Sequence, residues 1–268
     1  MLRIKALSLT QEVNDWLTHT RQPRVLHVFD NACNLINEKK DVLSLVTLPI
    51  GNGPFNLVVA DEINFADYIN ARSEISVDMD QIRIGNLIID VDNAKLWNPR
   101  PDWERLHAKR ADILDQIPSL RASGNGQSKP QFSDSLASDN ISVGTKLASK
   151  LAGLGQGLTP AGDDFIMGAL YAVWIIHPRE VASELADEIA KTAAPLTTSL
   201  SAAWIGSAGR GEAGQVWHEF LDALMDGDEA KIQLRMENIL AVGETSGADA
   251  LTGFISVLNQ ENNRSRYF

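Results

Sequence analysis

Cysteine is nearly absent: Cys33 is the single one in 268 residues. An internal disulfide framework is therefore excluded, and a reducing, cytoplasmic setting is expected. A lone thiol in an apolar segment reads as a small core residue. A basic excess is also missing. With 24 Lys and Arg against 35 Asp and Glu, the formal net charge is −11, which argues against a nucleic-acid or anionic-membrane surface. Long apolar runs are lacking too. The longest, Phe165 to Ile176, falls well short of the ~20 residues of a membrane span. The opening "MLRIKALSLTQEVNDWL" carries charge too early and too often for a signal peptide.

Familiar chemical motifs are lacking as well. There is no G-x-x-x-x-G-K-[ST] phosphate loop, no H-E-x-x-H and no G-x-S-x-G elbow. The five histidines show no metal-ligand spacing, so each reads as a surface or satisfied core residue. "GLGQGL" (153–158) follows a helical pattern rather than a strand, which weakens a dinucleotide reading.

What is present divides into two styles. From Arg24 to about Trp97, short segments rich in Val, Ile and Leu alternate with turn-formers: VLHVF (25–29), CNLIN (33–37), VLSLVTL (42–48), FNLVVA (55–60), ISVD (75–78) and LIID (87–90). That pattern predicts a small barrel or sandwich. Residues 101–117 then show helical spacing, and the Ser-, Gly- and Asn-rich stretch 118–140 has linker composition. Helices are expected over 142–153, 160–176, 179–193, 196–208, 212–226, 228–241 and 246–259. The expected architecture is α+β: a β-barrel-like N-terminal domain (1–117), a linker or loop (118–140) and an all-helical domain (141–268).

One stretch combines features that seldom meet. "GLGQGLTPAGDDFIMGALYAVWII" (153–176) opens with glycines and two adjacent aspartates, then becomes apolar nearly all the way round a helix. Thr159-Pro160 is a helix-start signal, with threonine as cap and proline at the first helical position. Asp163 and Asp164 fall in the first turn, where the helix dipole favours negative charge. Capping alone would account for them. A helix this apolar is central, however, so its start is expected to open into a cleft or interface. Gly153, Gly155, Gly157 and Gly162 strip side chains from the approach. "TSGADALTGFISVL" (245–258) repeats the layout, with Ser246 and Asp249 fitting a capping box, and "PLTTSLSAAWIGSAG" (195–209) offers Thr198 and Ser199 at a third start. If these starts converge, they form a pocket of N–H groups, hydroxyls and carboxylates. Such a pocket suits a small anion, with Mg²⁺ on Asp163 and Asp164 to offset charge.

The segments "GLGQGLTPAGDDFIMG", "TTSLSAAWIGSAGRGE" and "GETSGADALTG" together resemble the family containing the AllH-type subunit of oxamate carbamoyltransferase, an enzyme of allantoin (purine) catabolism. The resemblance implies a subunit of a transferase that interconverts oxalurate plus phosphate with oxamate plus carbamoyl phosphate. It also implies two other kinds of subunit, one similar to acyl-CoA synthetases. Gly155, Gly157, Thr159, Gly162, Asp163 and Asp164 match the first signature, and Thr245, Ser246, Gly247 and Asp249 match the last. The chain departs from the family pattern at Gln156 and Ala161, where Pro and Ser are common, and at Glu244, where His is common. A proton-transfer role there would fall to Glu244, provided burial raises its pKa. The expectation is thus a carbamoyl- or acyl-transferring component with Asp163, Asp164, Asp249 and Glu244 as candidate catalytic residues. The alternative is a non-catalytic assembly subunit.

Overall fold

The computed structural model describes residues 1–78, 80–117 and 129–265. The chain divides into two compact units, Met1–Pro99 and Arg100–Phe268.

The first unit is a barrel-like sheet, nearly closed. Its strands are β1 (Leu2–Leu9), β2 (Arg24–Val28), β3 (Ala32–Ile36), β4 (Val42–Val46), β5 (Asn56–Val59), β6 (Ile75–Asp78), β7 (Gln81–Ile84), β8 (Leu87–Asp90) and the short β9 (Lys95–Leu96). Their order is β2-β3-β4-β5-β1-β8-β7-β6, with β9 paired to β1. β1 is the organising strand. It runs antiparallel to β5 on one side, and on the other pairs parallel with β8 through Leu2–Lys5 and with β9 through Ser8 and Leu9. Its inward residues Ile4, Ala6 and Leu9 join Leu35, Leu43, Leu57, Ile82 and Leu87 in one core. Helix α1 (Gln11–His19) adds Val13, Trp16 and Leu17 to that core, its start capped by Thr10, whose Oγ1 accepts from Val13 N. Cys33 is wholly buried there, and burial pushes its thiol up to about 12, so it is the core residue expected.

The second unit is helical: α2 (Trp103–Ala108), α3 (Arg110–Gln116), α4 (Pro130–Ala137), α5 (Ile141–Leu151), α6 (Ala161–Ile176), α7 (Arg179–Ala193), α8 (Ser199–Gly209), α9 (Gln215–Asp226), α10 (Glu229–Leu240) and α11 (Ser246–Ser265). Two boundaries differ from expectation. The helices of residues 101–117 belong to this unit rather than to the β-rich one, because Trp103, Leu106, Ile113 and Leu114 sit in the helical core. Within the expected linker, 118–128 lie outside the described residues, while 130–137 form α4. Phe132 and Leu136, one turn apart, bury α4 against that core, with the Phe132 ring 6.3 Å from that of Phe165.

Helix α6 is the centre of the unit: fourteen of its sixteen residues are buried. Its closest partner is α11, and glycine permits that approach. A Cβ on Gly168 would lie 1.8 Å from the Ala250 carbonyl oxygen, and one on Gly253 would lie 2.1 Å from that of Phe165. No side chain fits either place, so the two backbones are in contact and the helices begin side by side.

Candidate functional site

The two aspartates at the start of α6 point to different tasks. Asp163 is 2% exposed, and both its oxygens are engaged by the protein. Oδ1 accepts from the Gly153 N–H at 2.8 Å, and Oδ2 accepts from the Thr197 hydroxyl. Asp163 therefore ties the glycine loop to the approach of α8. Leu158 strengthens the tie, its carbonyl accepting from the Thr198 hydroxyl at 2.6 Å. Asp163→Ala would strand the Gly153 N–H and the Thr197 hydroxyl. We expect it to cost about 1–3 kcal/mol in denaturant unfolding, the effect of a structural tie.

The loop glycines are explained from within as well. Gly153 has φ 72°, and a Cβ there would press to 2.8 Å from the Leu196 carbonyl oxygen. At Gly155, with φ 134°, a Cβ would meet Ala161 N at 2.7 Å. Both satisfy the loop's own packing.

Asp164 is 5% exposed, and its Oδ2 has no hydrogen-bond partner among the described residues. Burial pushes its carboxyl up to about 7, reinforced by the negative charges of Asp249 and Asp163 and opposed by hydrogen bonding from the Ser246 and Thr159 hydroxyls. Those two hydroxyls lie 2.8 Å apart. Helix α6 starts one residue later than expected. Pro160 is the N-cap of α6, and its carbonyl takes the Asp163 and Asp164 N–H groups, so Thr159 is not needed as a cap. Likewise, the Thr245 carbonyl accepts from Asp249 N and the Thr245 side chain bonds Asp249, so Asp249 is engaged with Thr245 rather than closing the expected capping box with Ser246. Both hydroxyls are thereby released toward a shared cavity.

That cavity measures about 230 Å³. Its polar floor is Thr159, Asp164 and Ser246, with Gly247 beside them, and its walls are apolar: Met167 from α6, Trp204 from α8, Val216 and Trp217 from α9, Ile239 from α10, Val242, and Ala250 from α11. Trp217 is held by ring contacts to Tyr171 at 4.9 Å and Phe254 at 5.5 Å. The wall residues Trp204, Val216, Trp217, Ile239 and Val242 were not anticipated as site residues. They come from four separate segments that meet only in the folded bundle; Trp204 alone lies inside one of the motifs named above.

The other expected residues lie elsewhere. Gly155, Gly162 and Asp249 border a second cavity of about 280 Å³ together with Lys129, on a different face of α6. Partial burial raises the Asp249 carboxyl above its usual range, against the Thr245 hydrogen bond and the Lys129 charge. Gly157 is exposed in the loop. Thr198 caps α8 by accepting from Ser201 N, and Ser199 begins that helix; neither lines the Asp164 cavity. Glu244 and Thr245 are exposed, so the burial that a proton-transfer role at Glu244 required is missing. The α6 start also offers fewer free donors than expected, since Leu154 and Pro160 carbonyls take the N–H groups of Gly162, Asp163 and Asp164. Asp163 spends both its oxygens on protein donors, so of the expected Mg²⁺ pair only Asp164 presents an oxygen without a partner among the described residues. Among the described residues no group of three His, Cys, Asp or Glu could hold a metal, and no helix is long and apolar enough to cross a membrane.

Residues 151–258 match the family described as oxamate carbamoyltransferase subunit AllH, and residues 5–96 match the AllH family N-terminal domain. No match was found among curated proteins or among solved structures. The two family matches fall one on each unit and take in the whole Asp164 cavity, and on them the chain belongs to the AllH family.

Proposed function

We propose that this chain is a working subunit of an oxamate carbamoyltransferase-type enzyme, and that it receives the carbamoyl or amide end of a small acid of the oxalurate or oxamate type in the Asp164 cavity. The observation that carries this reading is Asp164 itself: a buried carboxyl with an unpartnered oxygen, pushed up to about 7, beside the Thr159 and Ser246 hydroxyls in the lining of a cavity. A group that titrates near the working pH both gives and takes a proton readily. In carbamoyl transfer from oxalurate to phosphate, a phosphate oxygen bonds to the carbamoyl carbon and the bond from that carbon to the oxamate nitrogen breaks. The departing nitrogen takes a proton from the Asp164 carboxyl, and the proton carried in by the phosphate restores it. Thr159 and Ser246 orient the amide group. The family's description as a subunit supports other chains completing the enzyme.

The non-catalytic reading has one observation in its favour: most of the cavity wall is apolar and Val242 at its rim is 44% exposed, as a socket for a partner's side chain would be. The two readings separate on Asp164→Asn in the assembled transferase. The catalytic reading expects turnover to fall on the order of 100-fold with assembly intact. Unchanged turnover, or loss only through failed assembly, favours the socket.

A further inference from the structure

We infer that an acid of the oxamate type enters the Asp164 cavity together with one proton from solvent, which Asp164 holds while the acid is bound. This rests on the reading above that the cavity is the substrate site, and it says how that site accepts an anion. The first ground is a count of hydrogens. The Thr159 and Ser246 hydroxyls lie 2.8 Å apart, and each also bonds the Asp164 carboxyl. Three contacts in a ring need three hydrogens. With Asp164 ionised the two hydroxyls supply only two, whereas a protonated carboxyl supplies the third. The Oδ2 atom is buried with no partner among the described residues, and an ionic charge left there is costly. The ring is complete only in its neutral form.

The second ground is charge. The charged groups acting on Asp164 are Asp163, beside it on α6, and Asp249, on α11, and both are negative. Helices α8, α9 and α10 bring Trp204, Trp217 and Ile239 to the cavity, and among the described residues lining it none is Lys, Arg or His. The ligand's carboxylate comes inside with the rest of the molecule. An apolar cavity of about 150 Å³ holds benzene, which has as many non-hydrogen atoms as oxamate, so a cavity of about 230 Å³ encloses the acid whole. Two carboxylates confined there repel one another more strongly than in water, and Asp164 is the group that sheds its charge by taking a proton. Binding thereby loads the carboxyl with the proton that the departing nitrogen takes.

The test is calorimetric titration of the full chain with oxamate, whose carboxylate stays ionised throughout, at pH 6 and pH 8. At pH 8 two buffers of different ionisation heat count the protons taken up. Burial pushes the free Asp164 carboxyl up to about 7, so oxamate should bind about tenfold more weakly at pH 8 than at pH 6, with close to one proton taken up per oxamate at pH 8. Asp164→Asn, neutral at both pH values, should bind oxamate with neither the slope nor the uptake. Asp249→Asn should keep both. Should Asp164→Asn fail to fold, the proton count in Asp249→Asn decides in its place. Equal affinity at the two pH values, no uptake at pH 8, a slope that survives in Asp164→Asn or vanishes in Asp249→Asn, or no saturable binding of oxamate overturns the inference. Failure here is distinguishable from failure of the catalytic reading. Proton uptake with Asp164→Asn turnover unchanged would sink catalysis and leave the inference, whereas lost turnover with pH-independent oxamate binding would do the reverse.

Discussion

Asp164→Asn should make the protein more stable at pH 8 and leave it unchanged near pH 3. The wild-type carboxyl titrates at about 7 in the folded chain against an ordinary 3.8, so between those values the folded state holds more protons than the unfolded state. Stability then falls as pH rises through that interval. Below it both states are protonated and nothing is lost; above it both are ionised and the loss is constant. At about 1.4 kcal/mol per pH unit, the full loss is about 4 kcal/mol. Asparagine keeps the shape and carries no ionisable proton, so its unfolding free energy should lack this slope. Urea unfolding at intervals from pH 3 to 8 checks it: the two curves should converge at the acid end and separate by several kcal/mol at the alkaline end. Parallel curves would mean that Asp164 is not a neutral acid in the folded chain. The same comparison explains why the residue is there, since a group that costs stability at neutral pH has a reason outside folding.

Gly168→Ala is expected to be among the most damaging single-methyl changes in the chain. The added carbon would stand 1.8 Å from the Ala250 carbonyl oxygen, and a backbone atom cannot step aside as a side chain can. Helices α6 and α11 must then separate. Overpacking ordinarily costs about 1–3 kcal/mol, and a backbone clash of this depth belongs above that range, at about 3 kcal/mol or more. The cavity should suffer with the fold, because Asp164 and Ser246 meet only while the helix starts lie together. Gly206→Ala is the control. Its Cβ meets only Arg210 Nη1 at 3.6 Å, so the better helix propensity of alanine should leave stability unchanged or raised by up to ~1 kcal/mol. Denaturation midpoints of the two variants measure the contrast. Similar midpoints would show that the helix crossing tolerates separation.

The legible parts of this protein were those fixed by local chemistry. Segments such as VLSLVTL and FNLVVA announced strands because β-branched and leucine residues were bounded by turn-formers, and both strands are there as β4 and β5. Strand β1 went unread although LRIKALSL alternates, with Ile4 and Ala6 inward and Lys5 outward. Its role comes from non-local pairing with β5, β8 and β9, which no local pattern records. Helix α4 hid behind a serine-rich composition, since two residues, Phe132 and Leu136, carry most of its apolar side-chain burial.

The candidate site divided in the same way. "TPAGDD" and "TSGAD" identified two helix starts that do converge, but the sequence could not separate the duties of two adjacent aspartates. On a helix, neighbours point about 100° apart. One turned toward Gly153 and Thr197, the other into the cavity. Nor could it foresee that the Pro160 and Thr245 carbonyls would take first-turn N–H groups and leave the Thr159 and Ser246 hydroxyls to bond each other beside Asp164. The opposing apolar wall needed the whole bundle.

The most direct measurement is the titration of the Asp164 side-chain carbon by ¹³C NMR, assigned by its loss in Asp164→Asn, with and without oxamate. The account predicts a resonance that titrates at about 7 in the free protein and moves when oxamate is added. A resonance titrating in the ordinary aspartate range, or one that oxamate leaves untouched, would contradict it.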